Sequence, residues 1–463
     1  MKKVLILLLI FASLFSYSQE LQKGVVINAV SCEQNPDQTY ALYLPSFYDA
    51  SKKWPAVFVF EPAARGPLPV TKFQEGAEAL GYIIISSNNS RNGSWDLAFD
   101  AGDAMFADAF ARFNIDIDRV YTSGFSGGSR VASAIASLTG KIRGVIACGA
   151  GFATVPDYQL SNNSKVLYAS VVGNQDMNYQ EHRELANELD KKQVTNTRII
   201  FNAGHQWPQS VYLKEALYWM ELQNFKKQQK VSEQFSVERA FSLTKSRADS
   251  MLTHGDYVSA HATYLQLLND YDALIDLKDV NDAITQIEEI KDYKKQSRQK
   301  EKIDKLEMEQ RQLIGEAFTE LYYTKLKVEE DAGLRDMTWW QNKIDYYKKL
   351  SRRDDFQMAN MARRILNSIW ARCAESSFNY INNKDYETAM VLTKVWLYAE
   401  PNNWARWNMA KILANMDDAA FFDYLQEIVS GPTQLTKQSI LKEEAFKNYL
   451  DDQKMKAILD QLN

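Results

Sequence analysis

Glycine and proline are confined almost entirely to the first half of this 463-residue chain, and no other feature constrains its fold as strongly. Fifteen of the 19 glycines lie at or before Gly204, and eight of the 10 prolines at or before Pro208; the next proline is Pro401. Tight turns use the φ > 0 freedom of glycine or the fixed φ of proline, so turn chemistry belongs to the first half. The second half is built from Glu, Lys, Gln, Leu and Ala, a helix-forming composition with few breakers. The change falls in the polar stretch Lys226-Lys227-Gln228-Gln229-Lys230. The expected organisation is a domain over 19–227 and an all-helical domain over 228–463.

Short β-rich runs alternate with helical stretches in the first half. Strands are predicted at 40–44, 56–60, 82–86, 119–122, 144–148, 166–172 and 198–201. Helices are predicted at 95–113, 126–138, 179–192 and 209–224. Strand alternating with helix is the signature of a mostly parallel sheet covered by helices on both faces, an α/β class. The second half reads as amphipathic helices. Gly255-Asp256-Tyr257 is followed by Ala260, Tyr264 and Leu267; Tyr386 is followed by Ala389 and Pro401, with Trp407 beyond. Small and aromatic residues at these offsets let antiparallel helices pack closely, and the pattern resembles about three degenerate tetratricopeptide repeats. The 129 residues from Tyr257 to Tyr386 are not a multiple of the repeat length, so the intervening segment is irregular. Residues 286–313 carry dense mixed charge and read as one long solvated helix.

Composition excludes several classes. Hydrophobic residues make up 46% and charged residues 24%, ordinary globular values. A net charge of −5 gives no basic excess to neutralise phosphates, which argues against nucleic-acid binding as the main task. Residues 1–18 read as a cleaved secretory signal: Lys2 and Lys3, a short apolar run, then Ser16-Tyr17-Ser18. The run is too short to span a bilayer, and no later stretch is long enough, so an exported, periplasmic or extracellular protein without an integral membrane segment is expected. Three scattered cysteines, Cys32, Cys148 and Cys373, read as packed thiols. No metal-ligand cluster is apparent, and no cofactor is implied.

The sharpest chemical signal is Gly124-Phe125-Ser126-Gly127-Gly128, directly after a predicted strand and opening a helix. The motif alone is weak; strand–motif–helix is the nucleophile elbow, in which a serine sits on a strained turn and small neighbours relieve crowding. The turn aims the N–H of Gly127 at a substrate carbonyl oxygen. A serine hydroxyl needs a base. Of the four histidines, His254 and His261 lie in the helical half and His182 on a predicted helix, whereas His205 follows the last predicted strand. Asp176, just past the end of the strand ending near Val172, supplies the acid that would orient the imidazole. Ser126, Asp176, His205 is the chain order of α/β-hydrolase triads. A second oxyanion donor is expected after strand 56–60, in Phe60-Glu61-Pro62-Ala63-Ala64-Arg65. Many hydrolases carry His-Gly where this chain has Glu61-Pro62; proline has no N–H to donate, so Ala63 becomes the candidate. Asn88, Asn89, Arg91, Asn92 and Trp95 follow a strand and are candidates to line the substrate site, as is Trp207.

On these motifs, residues 20–225 resemble secreted α/β-hydrolases of the polyhydroxybutyrate-depolymerase, feruloyl-esterase and dienelactone-hydrolase-like group. Tyr40-Ala41-Leu42-Tyr43-Leu44-Pro45 with Trp54-Pro55 is similar to that group's entry strands, and Gly124–Gly128, Gly173–Asp176 and Gly204-His205-Gln206-Trp207-Pro208 to its triad motifs. The resemblance implies ester hydrolysis through a serine acyl-enzyme without fixing the ester; an uncapped site would suit a polymer-borne or carbohydrate-linked one. Related folds cleave peptides next to proline, which makes a prolyl-oligopeptidase-like peptidase the alternative. A further alternative is an interaction protein whose repeats bind a protein partner and whose hydrolase domain is weak. The short stretch 149–165 leaves no room for an inserted cap, so the site is expected to be open. The first 227 residues are expected to hydrolyse a small ester alone.

Overall fold

The structure, a computed structural model, describes residues 21–325 and 335–462. The segment read as a secretory signal lies outside the described residues.

Eight strands form one sheet in the order β1-β2-β4-β3-β5-β6-β7-β8. They are β1 Val26–Ser31, β2 Thr39–Tyr43, β3 Trp54–Phe60, β4 Ile83–Ser87, β5 Ile115–Phe125, β6 Gly144–Cys148, β7 Leu167–Gly173 and β8 Asn196–Phe201. β2 runs antiparallel to its neighbours β1 and β4, and the strands from β4 to β8 are all parallel. Helices α1 Pro67–Leu80 and α5 Ser210–Lys226 cover one face; α2 Trp95–Arg112, α3 Gly127–Thr139 and α4 Tyr179–Lys191 cover the other. Because both faces are covered, inner strands such as β3 and β6 are continuous apolar runs. In β3 the pleat sends Val57 and Val59 to one core and Ala56, Phe58 and Phe60 to the other.

Two elements escaped the sequence. β1 is a half-exposed edge strand whose alternation is broken by a bulge between Ile27 and Val30. α1 begins Pro67-Leu68-Pro69, which reads as a loop, yet proline suits a first helical turn, where its missing N–H costs no bond.

Helices continue the chain: α6 Val237–Thr253, α7 Tyr257–Tyr271, α8 Lys278–Glu289, α9 Lys291–Thr324, α10 Met337–Leu350, α11 Phe356–Asn382, α12 Tyr386–Ala399, α13 Asn403–Asn415, α14 Phe421–Val429, α15 Lys437–Lys442 and α16 Gln453–Leu459. The paired turns noted in the sequence recur in the backbone. Gly255 (φ 76°) and Lys384 (φ 60°) are left-handed, and Asp256 and Asp385 cap the helices that follow. The long helix expected over 286–313 is instead broken at Ile290, which is extended, and α9 is not solvated all round: Ile303 and Glu307 are buried.

The change of composition at residue 227 is not a break in packing. α5 is buried on nearly every side because α6, α7 and α8 share its core: Ala248, Tyr264, Leu267, Val280 and Ile287 join Leu213, Leu217 and the β-strand residues in one cluster. Arg247 on α6 forms a buried ion pair with Glu215 on α5 at 3.0 Å. The Ser232 N–H donates to buried Glu221 at 2.9 Å, and Glu221 also accepts from Tyr82 and Arg119. All three cysteines are buried free thiols.

One buried group predicts acid sensitivity. His182 on α4 is fully buried, and among the described residues neither ring nitrogen has a hydrogen-bond partner. Burial, outweighing the pull of Glu181 and Asp176, drops its pKa to about 4. The unfolded chain takes up this proton near its ordinary value of about 6.5, so between those values the unfolded state binds more protons and stability falls as pH falls. The loss at pH 5 is about 2 kcal/mol from this residue. Urea midpoints at pH 7 and pH 5 should therefore separate more in the wild type than in His182→Leu. Equal separations contradict the assignment.

Candidate active site

The motif strand β5 ends at Phe125, and α3 begins at Gly127, leaving Ser126 on the corner with φ 53° and ψ −122°. A non-glycine residue in that region is strained and is held only by its surroundings. The crowding is measurable. A Cβ on Gly124 would meet the Gly128 carbonyl oxygen at 2.2 Å, and one on Gly128 the Phe60 carbonyl oxygen at 2.0 Å. Ser126 N–H donates to the Cys148 carbonyl at 2.9 Å, tying the corner to β6.

His205 and Asp176 come to this corner from the loops after β8 and β7. Those loops are laced together: Asn174 N–H donates to Phe201 O at 2.8 Å and Gln175 N–H to Ala203 O at 3.0 Å. His205 Nε2 lies 3.0 Å from Ser126 Oγ. His205 Nδ1 lies 3.0 and 2.9 Å from the two Asp176 oxygens. Asp176 is buried and accepts a further bond from the Asn178 N–H at 2.8 Å. This connectivity fixes the tautomer with hydrogen on Nδ1 and leaves Nε2 free to accept the serine proton. The Gly127 N–H opens α3, where a helix has no internal acceptor for it.

Several expectations need correction. The Ala63 N–H is not free, because it donates to Glu61 Oε2 at 2.7 Å. Glu61 is fully buried; burial pushes its carboxyl up, but hydrogen bonds from Arg65 and from the Arg65 and Ala63 N–H groups outweigh that and hold it below the usual carboxylate range. Trp207 does not line the cleft. It is buried, its ring tilted against Phe125 at 5.5 Å, and Phe125 in turn packs on the His205 ring at 4.6 Å. Arg91, Asn92 and Trp95 do line the cleft with Ser126 and His205. Asn88 and Asn89 instead bond back to the β1–β2 region, Asn88 to Asn28 O and Asn89 to Thr39 N–H and Asp37 O.

Nor is the site open. No cap follows β6, but the helical half supplies a wall from far along the chain. The cleft, about 980 Å³, is closed on one side by Trp370, Glu375, Phe378 and Asn379 of α11 and by Trp404 of α13. Helix α11, together with α9, also grips the acid loop. Arg364 donates to Asn174 O at 2.8 Å, Asn367 to Gln175 O at 2.9 Å, and Arg311 of α9 to Met177 O at 2.7 Å. Arg364 is itself held by fully buried Glu307, which also accepts from Gln180 at 2.7 Å. The sequence reading missed all of these residues. Arg364, Asn367, Ala371, Ala374 and Phe378 recur at helical spacing, but the stripe mixes charge, amide, methyl and ring, so it gives no hydrophobic signal.

The strand order, the crossover helices on both faces and the elbow at the end of β5 define the α/β-hydrolase fold, followed by a large all-helical region. No family model and no curated protein sequence matches the chain. Similar solved structures include an S-formylglutathione hydrolase from Staphylococcus aureus, with 15% identity and a TM-score of 0.34 over 43% of this chain and 98% of that one. A ferulic acid esterase has 15% identity and a TM-score of 0.34 over 42% and 95% of the two chains. Esterase B from Lactobacillus rhamnosis has 14% identity and a TM-score of 0.36 over 44% and 89%.

Proposed function

We propose that this protein is a serine hydrolase of carboxylic esters, acting through Ser126, His205 and Asp176. The observation that carries this reading is the unbroken chain of contacts from Ser126 Oγ through both imidazole nitrogens to a buried carboxylate. Ser126 Oγ attacks the ester carbonyl carbon while His205 Nε2 takes its proton, and Asp176 stabilises the imidazolium. The carbonyl oxygen becomes an oxyanion facing the Gly127 N–H. Collapse breaks the bond to the alcohol, which leaves with the proton from His205. Water, deprotonated by the same base, then releases the acid and restores Ser126.

The ring wall of Trp370, Phe378 and Trp404 supports an ester carrying a flat or pyranose ring, as in a carbohydrate-linked or polymer-borne ester. Lys2, Lys3 and the apolar run after them support export; the amino-terminal sequence of the secreted protein tests it. A tetratricopeptide-like, partner-binding role for the helical half is supported by the recurrent capped turns at Asp256 and Asp385.

A further inference from the structure

The oxyanion site has one backbone donor where acyl-transfer chemistry ordinarily uses two, and the reason lies in the segment after β3. Pro62 has no N–H. The N–H groups of Ala63, Ala64 and Arg65 are all taken by Glu61, at 2.7 Å to Oε2, 3.2 Å to the carbonyl and 3.1 Å to Oε2. Because Glu61 is buried and held ionised, the two bonds to its carboxylate, from Ala63 and Arg65, are charge-assisted and will not readily release a donor.

We propose that the side-chain amide of Asn92 is the second donor to the oxyanion. The inference rests on the reading of Ser126 as nucleophile. Asn92 is pinned beside the gap left by Pro62: its own N–H donates to Pro62 O at 2.9 Å, and Arg91 forms a bridge with Ala63. Its side chain reaches over Gly127, the residue carrying the first donor. A Cβ built on Gly127 would lie 2.0 Å from Asn92 Oδ1 and 3.4 Å from Nδ2. Gly127 therefore serves two ends, relieving the elbow and making room for this amide. Among the described residues the amide has no hydrogen-bond partner of its own, and it lines the same cleft as Ser126 and His205. The amide presents oxygen and nitrogen at nearly equivalent positions, so a half-turn about its last bond brings the NH2 group to the oxyanion. A neutral donor suits the site, since it stabilises the developing charge without titrating and without being drawn to Glu61.

The test compares wild type, Asn92→Ala and Asn92→Asp on p-nitrophenyl acetate, with inhibition by a simple alkyl boronic acid and labelling by a fluorophosphonate beside it. Removing one oxyanion donor is expected to lower kcat by about 10² to 10³ with KM within about threefold. The boronic acid, which forms a tetrahedral anion on the serine, should lose affinity by a comparable factor. Asn92→Asp should be at least as impaired, since a carboxylate repels the oxyanion. Both variants should still reach complete labelling at Ser126, more slowly. An active wild type with Asn92→Ala within about threefold in kcat, or with boronate affinity unchanged, overturns the role of Asn92 alone. A wild type that neither hydrolyses the ester nor labels overturns the reading of the site and this inference with it.

Discussion

Ser126→Ala is expected to lower kcat on p-nitrophenyl acetate by about 10⁴ or more and to leave the melting temperature nearly unchanged. Loss of the nucleophile removes the covalent route altogether. The fold should tolerate the change because alanine keeps the Cβ that already sits at φ 53° and loses only a hydroxyl that faces the cleft. Asp176→Asn should cost about 10⁴ in kcat for a different reason. The amide can donate to Nδ1, which favours the tautomer with hydrogen on Nε2, and that nitrogen then has no lone pair for the Ser126 proton 3.0 Å away. Turnover above a few per cent in either variant contradicts the triad.

The second large effect concerns residues far from Ser126 in sequence. Three carbonyls flanking Asp176, those of Asn174, Gln175 and Met177, are held by Arg364, Asn367 and Arg311 of the helical half. Glu307 is the hub: burial pushes its carboxyl up, and Arg364 and Arg311 outweigh that and keep it ionised. Removing it strands a buried guanidinium, so Glu307→Ala should destabilise the protein by about 3–5 kcal/mol. Asn367→Ala removes the bond to Gln175 O and the acceptor of the Trp370 indole N–H without stranding a charge, and is the gentler probe. A displacement of about 1 Å at a catalytic group costs up to about 10²-fold, so Asn367→Ala is expected to lower kcat by about tenfold and Glu307→Gln by more, in proteins that remain folded. Unchanged kcat in both would mean that the helices only cover the cleft. For the same reason a fragment ending at residue 227 is now expected to be inactive on the small ester. It would lose these holds and open the apolar core that Leu213 and Leu217 of α5 share with Ala248, Tyr264 and Leu267.

Local chemistry was legible in the sequence; long-range partnership was not. Strand β6 and the starts of α2 and α4 fall where apolar runs and turn residues place them, because propensity, pattern and packing agree there. That Ser126, Asp176 and His205 would meet was readable because each sits beside a strand end in a fixed chain order. Ala63 failed as a donor because its neighbour Glu61 folds back on it, a two-residue contact that no spacing rule encodes. Trp207 reads as a cleft residue by its closeness to His205, yet the chain turns and buries it against Phe125. The α11 wall was invisible because its stripe has no uniform polarity and its target lies about 190 residues upstream, as for Arg364 and Asn174.

The central claim is that Ser126, activated by His205, forms a covalent intermediate. The most direct measurement is intact-protein mass spectrometry after treatment with a fluorophosphonate, followed by mapping of the modified peptide, in wild type, Ser126→Ala and His205→Ala. The account predicts one adduct per wild-type chain, located on Ser126, with no adduct in Ser126→Ala and strongly slowed labelling in His205→Ala. An unlabelled wild type, or an adduct that persists in Ser126→Ala, would contradict it.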